Sequence, residues 1–208
     1  MKEHISHADY SIEKEELLAG HTLICGVDEA GAGPLMGPVY AAAVILPPDC
    51  EIPGLDDSKK LTEKKREALY PVICEKAVAW AVAFCTEQEI DEINILNARM
   101  RAMQRAIDAL SVKPDFALID GNRNTGITTP NRTVIGGDAK SMSIAAASVL
   151  AKVSRDRFVT EVLDKQYPEY QFAKHKGYGT KLHYEMLDRF GPCPCHRRTF
   201  LRKWEEKR

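Results

Sequence analysis

One stretch constrains this chain more than any other: Ile24-Cys25-Gly26-Val27-Asp28-Glu29-Ala30-Gly31-Ala32-Gly33-Pro34-Leu35. A short apolar run ends in two adjacent carboxylates and passes at once into a Gly-Ala-Gly turn, as a strand does when it delivers charge to a sheet edge. Alone, these residues also fit a strand closing on a solvated acidic pair. Two later aspartates stand in similar settings. Asp120 closes the apolar run Phe116-Ala117-Leu118-Ile119, and Asp138 follows Val134-Ile135-Gly136-Gly137. Three strand ends can converge on one site. Asp28 and Glu29, as strand neighbours, should point to opposite faces. Both reach one site only if the strand ends or bulges there, which Gly31 and Gly33 permit.

The 208 residues suffice for one sizeable core with an appendage and do not require two full domains. Residues 1–20 are polar and lack an apolar signal region, and no apolar run reaches the roughly 20 residues of a membrane helix. The expected location is the cytoplasm, without membrane contact. Six cysteines, at 25, 50, 74, 85, 193 and 195, lie in a chain large enough to fold without staples, so reduced thiols are expected. The net charge of −1 hides an asymmetry: residues 171–208 hold ten Lys or Arg against four Asp or Glu. A basic segment is often only a solvated face. Beside an acidic cluster, it is also what a metal-dependent phosphodiesterase requires.

The pattern along the chain predicts alternating elements. Strands are expected over residues 21–27, 37–46, 77–85, 116–119 and 132–135. A helix capped by Thr62 should follow the loop 48–60, with Pro71 putting its middle in doubt. Thr86 and Glu89 fit a capping box, after which Leu96, Met100, Met103, Ile107 and Leu110 recur at helical spacing as core residues. A long helix is expected from 141 to about 165, its Ala145-Ala146-Ala147 run allowing close contact with the sheet, and another over 180–190. The fold class is α/β, a mixed sheet flanked by helices with a basic helical C-terminal extension. The expected division is a flexible segment 1–20, a catalytic core 21–170 and a substrate-binding extension 171–208.

Four carboxylates drawn together repel one another unless protons or cations neutralise them. Oxygen ligands without an adjacent histidine favour Mg²⁺ or Mn²⁺ over zinc. Competing motifs are weaker. The spacing of Gly31, Gly33 and Gly37 is one residue too long for a dinucleotide fingerprint, and Pro34 and Pro38 interrupt any helix there. Gly136-Gly137-Asp138-Ala139-Lys140-Ser141 lacks the spacer of a phosphate loop. Cys193-Pro194-Cys195-His196 offers three zinc ligands with nothing nearby to complete the set, and reads as an incidental turn. His175, His183 and His196 read as donors on the tail rather than catalytic bases.

Eight ordered motifs together resemble bacterial ribonuclease HII: Asp28-Glu29-Ala30-Gly31, Gly33-Pro34-Leu35, Leu55-Asp56-Asp57-Ser58-Lys59-Lys60-Leu61, Ile119-Asp120-Gly121-Asn122, Gly137-Asp138, the Ala-Ser-Val-Leu-Ala-Lys152 to Asp156 run, His175-Lys176-Gly177-Tyr178, and His196-Arg197-Arg198. The resemblance spans about residues 22–200. It implies a ribonuclease H-like fold and endonucleolytic cleavage of RNA in RNA–DNA hybrids, including a single ribonucleotide in duplex DNA. The cut on its 5′ side would leave a 3′-hydroxyl and a 5′-phosphate and begin ribonucleotide removal. By position, Asp28, Glu29, Asp120 and Asp138 would be the ligands of two Mg²⁺ or Mn²⁺ ions, with Asp28 bridging. Tyr178 would stack on the sugar, and the amides of Gly31, Ala32 and Gly33 would sense the ribose 2′-OH, the group that distinguishes RNA from DNA. Ser58, Lys59, Lys152, His196, Arg197 and Arg198 are candidate phosphate contacts, with cap or surface roles as the alternative.

The family's turn reads Gly-Arg-Gly, and here it is Gly31-Ala32-Gly33. The glycines remain, but a guanidinium that would grip a neighbouring phosphate is missing. Weakened handling of single embedded ribonucleotides is expected, with the metal chemistry intact. A second hypothesis is a non-cleaving hybrid-binding protein; a nucleotide-cofactor enzyme is a distant third. The expected partners are RNA–DNA hybrid and ribonucleotide-containing duplex. Residues 200–208 hold no obvious clamp-binding peptide, and nothing suggests more than a monomer.

Overall fold

Near-continuous apolar runs seek burial on both faces, and two such runs lie at the centre of this molecule. The computed structural model describes residues 8–206. Five strands, β1 (Ile24–Ala30), β2 (Val39–Ile45), β3 (Ala79–Cys85), β4 (Phe116–Asp120) and β5 (Asn131–Val134), form one sheet in the order β3-β2-β1-β4-β5. The pairs β1/β2 and β2/β3 are antiparallel, whereas β4 runs parallel to β1 and β5 parallel to β4. The three parallel strands therefore end at the same sheet edge. This is the expected ribonuclease H-like α/β architecture.

Helices α1 (Ser11–Leu18), α2 (Glu63–Lys76), α3 (Glu87–Asp108) and α4 (Met142–Phe158) surround the sheet. One face is closed by α3, with Met100, Met103, Ile107 and Leu110 buried against Val27, Val39 and Ile119. The other is closed by α4 and α2, with Ala145, Ala146 and Ala147 wholly buried. Small residues set that spacing: a Cβ on Gly26 would lie 2.2 Å from the Ser143 carbonyl carbon. Residues 171–206 add short helices, Phe172–His175, Lys181–Phe190 and Arg198–Glu205. No helix among the described residues is long and apolar enough to cross a membrane.

Several boundaries differ from the sequence expectation. The first strand starts at Ile24 rather than at 21, because the N–H groups of Thr22 and Leu23 bond the Asp115 carboxylate, at 2.7 and 3.0 Å. It runs on to Ala30, so Asp28 and Glu29 lie inside it. Helix α2 continues through Pro71, whose ring faces solvent. In α3, Asn94 adopts φ 65° and breaks the helix, then caps the second stretch by accepting the Asn97 N–H at 3.1 Å. That break turns Leu96 outward, 42% exposed, against the expectation of a core residue. The long helix after 141 gives way to a π turn, Val159–Leu163.

The segment 1–20, expected to be flexible, holds α1; residues 1–7 lie outside the described residues. Glu13 anchors this helix from a fully buried position. Its Oε1 accepts from Ser141 Oγ (2.6 Å), Ser143 Oγ (2.6 Å) and Ser143 N–H (2.9 Å) at the start of α4. A Glu13→Ala variant leaves those buried donors without their acceptor, a loss of about 1–3 kcal/mol. Its thermal midpoint should fall by about 2–4 °C for each kcal/mol. An unchanged melt would show that α1 is not anchored this way.

Candidate metal centre and nucleic-acid interface

Parallel pairing of β1, β4 and β5 carries three carboxylates to one sheet edge. Asp28 lies near the end of β1, Asp120 ends β4, and Asp138 sits in the 3₁₀ turn Gly137–Ala139 that follows β5. One oxygen from each lies within 4.8 Å of the others, and Asp28 and Asp138 are buried. Backbone donors and one cation hold the group together. Asp28 Oδ1 accepts the Glu29 N–H (2.7 Å), Asp120 Oδ1 accepts the Gly137 N–H (2.7 Å), and Lys59 Nζ donates to Asp138 Oδ2 (2.9 Å). Burial, then the charges of Glu29 and Asp120, push the Asp28 carboxyl well above the usual carboxylate range. Burial and the charge of Asp138 raise Asp120 as well. Such an oxygen-only cluster could hold divalent cations.

Glu29 is not among the carboxylates whose oxygens converge within 4.8 Å, although its charge acts on Asp28. As alternation on a strand requires, it points elsewhere, and its Oε1 meets Arg99 Nη2 from α3 at 2.6 Å. Its Oε2 and the Arg99 Nε are buried without hydrogen-bond partners among the described residues. Burial raises the Glu29 carboxyl, against the pull of Arg99. Sequence reasoning missed Arg99, because nothing in a helical heptad shows which strand residue it will meet.

The glycine turn rests on Arg197. This fully buried guanidinium donates to the carbonyls of Gly31 (2.6 Å), Ala32 (3.0 Å), Pro34 (2.8 Å) and Gly37 (2.9 Å). In a trans peptide the following N–H points opposite to the carbonyl. The N–H groups of Ala32 and Gly33 are therefore turned away from Arg197. Gly31 takes φ +90°, and a Cβ there would stand 3.2 Å from Nε of buried Arg155, so any other residue would be strained and crowded. Tyr178 is 44% exposed beside the turn, with Lys152 Nζ and the Arg155 guanidinium each 5.8 Å from its ring centre.

The model of the ribonuclease HII family matches residues 25–203. The chain belongs to the ribonuclease HII family. Ribonuclease HII of Idiomarina loihiensis is 57% identical over 178 residues, covering 86% of this chain and 95% of its own length. Ribonuclease HII of Caldicellulosiruptor saccharolyticus is 50% identical over 202 residues, covering 97% and 98%. Among solved structures, ribonuclease H2 of Pyrococcus horikoshii superposes with a TM-score of 0.72 at 28% identity, covering 89% of this chain and 98% of that one. Membership in ribonuclease HII makes the chain an endonuclease and a hydrolase.

The other residues singled out for this ribonuclease HII chain divide into exposed and buried sets. Lys59 and Arg198 are exposed, and Lys152 is partly buried in an ion pair with Asp156 at 3.0 Å. Ser58 is buried, its N–H reaching Ser148 Oγ at 3.3 Å and its carbonyl accepting from Arg66. His196 and Arg197, expected at phosphates, are instead internal: His196 is 2% exposed and packed on His183, and Arg197 serves the turn. His175 and His183 are buried too, stacked at 4.4 Å, and not tail donors. Asp91, which the sequence did not single out, fixes the final helix by accepting the N–H groups of Arg198 (2.7 Å) and Thr199 (2.9 Å).

Two measurements follow from this geometry. An Asp120→Asn variant keeps the acceptor for Gly137 and removes one charge from the cluster. Because the folded-state pKa of Asp120 is raised, its ionisation lowers stability as pH climbs from about 4. Without metal, the variant should match the parent near pH 4 and melt higher at pH 7, by about 2–4 °C if ~1 kcal/mol is relieved. Excess Mg²⁺ should remove that advantage; equal melting at both pH values would contradict the repulsion. Arg197→Lys cannot present the fork that four carbonyls require. It should lose about 1–3 kcal/mol in denaturant titrations, and an unchanged midpoint would mean that the turn holds itself.

Proposed function

We propose that this chain hydrolyses the RNA strand of RNA–DNA hybrids and nicks duplex DNA on the 5′ side of an embedded ribonucleotide, leaving a 3′-hydroxyl and a 5′-phosphate. The observation that carries this reading is the convergence of Asp28, Asp120 and Asp138 at the ends of neighbouring strands. Their oxygen-only donor set, and the raised carboxyls that cation binding would relieve, fit Mg²⁺ or Mn²⁺. Asp28, Glu29, Asp120 and Asp138 would hold two such ions. When bound, the ions supply an activated water and charge stabilisation at the phosphodiester.

The chain's own residues orient the substrate. Glu29 offers its unpartnered Oε2 while Arg99 retains Oε1. Tyr178 stacks on the sugar beside the scissile bond, and the outward N–H groups of the glycine turn meet the ribose 2′-OH, where DNA has only hydrogen. Lys59, Lys152 and Arg198 are candidates for backbone phosphates, whereas Ser58 is buried with its N–H and carbonyl already engaged by Ser148 and Arg66. Lys59 also bridges to Asp138, so a cation on Asp138 would release the ammonium toward a phosphate.

Ala32 leaves the turn without a cationic side chain. Restoring one with Ala32→Arg adds a charged hydrogen bond, about 1.5–3 kcal/mol or roughly ten- to hundredfold in binding or rate. Cleavage of an end-labelled duplex with one ribonucleotide should rise by that factor, and cleavage of an RNA–DNA hybrid much less. Equal junction cleavage by the two proteins would rule out this role for position 32. With the unaltered chain, Mg²⁺ or Mn²⁺ should support cleavage of the hybrid, and chelator should abolish it. Binding of hybrid without any metal-dependent product would overturn the assignment.

A further inference from the structure

Outside the carboxylate centre, the described residues contain a second convergent set of ligand atoms. Cys193, Cys195 and His196 are each buried, and their donor atoms lie within 4.8 Å of one another. The two Sγ atoms are 3.2 Å apart, and Cys193 Sγ is 3.1 Å from His196 Nδ1. We propose that these three residues form a thiophilic metal site that takes Zn²⁺, made of different ligands from the carboxylate centre.

The histidine is already set for the task. The Tyr178 carbonyl can only accept, so His183 Nδ1, 3.0 Å away, carries a proton. His183 Nε2 is then the acceptor for His196 Nε2–H at 3.0 Å, which leaves the lone pair of His196 on Nδ1, facing Cys193. Metal-binding imidazoles are oriented by such a bond from the second nitrogen. The Cys193 N–H meets the same lone pair at 3.0 Å, and metal binding exchanges that bond for coordination.

The sulfurs are equally suited. Cys193 Sγ lies 3.2 Å from Cys195 Sγ and 3.1 Å from His196 Nδ1, so one cation can meet all three. Binding of the cation releases both thiol protons to solvent. One Zn²⁺ with two thiolates is electrically neutral, which suits a pocket walled by Met36, Tyr170 and Phe172. Both thiophilicity and the imidazole exclude Mg²⁺ here. Three protein ligands leave a fourth position for water or a small anion.

The site also has a lever. His196 pairs with Met36 in a backbone bridge, and the Arg197 N–H bonds the Leu35 carbonyl at 2.9 Å. Zinc would therefore brace the strap from which Arg197 holds the glycine turn.

The test uses the full chain, purified under reducing conditions, with excess Mg²⁺ to fill the carboxylates. Co²⁺ should give one equivalent of thiolate-to-metal charge-transfer absorption, displaced by Zn²⁺ and absent in Cys193→Ser. Free Zn²⁺ at a hundredfold excess over Kd should raise the thermal midpoint by about 5–10 °C. Because a serine variant could fold poorly, alkylation of the unaltered protein provides a second reading. Zn²⁺ should shield Cys193 and Cys195 while Cys50 and Cys74 continue to react. No thiolate band, equal alkylation with and without Zn²⁺, or conversion of the pair to a disulfide that takes no metal would each overturn the proposal.

Discussion

Three negative charges held at one sheet edge are the constraint around which this molecule is arranged. Asp28, Asp120 and Asp138 converge because β1, β4 and β5 run parallel and end together. Each carboxylate is steadied by one contact: the Glu29 N–H, the Gly137 N–H and the Lys59 ammonium. The strands cannot shift to relieve the repulsion, since α4 lies against Gly26 too closely for even a methyl group. Burial and mutual charge then lift the Asp28 carboxyl, which prepares a site whose repulsion a divalent cation removes.

The second organising contact is the Arg197 fork. One guanidinium collects four carbonyls from residues 31–37, so the turn after β1 is held from beneath and its amides are left facing the other way. The segment 193–197 thus links the short C-terminal helices to the strand that bears Asp28. Its imidazole chain, from His196 through His183 to the Tyr178 carbonyl, ties Tyr178 to the same strap. The turn, the tyrosine and the strap are thus joined by one run of hydrogen bonds.

Much of the architecture was legible because periodicity and caps report local physics. The capping box of Thr86 and Glu89 is present, Met100, Met103 and Ile107 lie on the core face of α3 with Leu110 buried just after it, and the alanine run of α4 meets the sheet. Asp120 and Asp138 were readable as charges that end apolar runs. What escaped depended on distant partners. Arg197 looks like part of a basic tail until four carbonyls are brought to it, and Arg99 draws Glu29 aside in a contact between a helix and a strand. Asn94 breaks α3 with a left-handed residue that the apolar spacing conceals. The pairing of His196 with His183 was likewise out of reach, since His183 arrives from a separate helix.

The most direct measurement is diffraction from crystals soaked in Mn²⁺, with data collected at the manganese absorption edge. Anomalous density is expected among the carboxylates of Asp28, Asp120 and Asp138, with Glu29 Oε2 drawn toward it and Arg99 still on Oε1. No anomalous peak at that sheet edge under saturating Mn²⁺, or peaks confined to other parts of the molecule, would contradict the carboxylate centre.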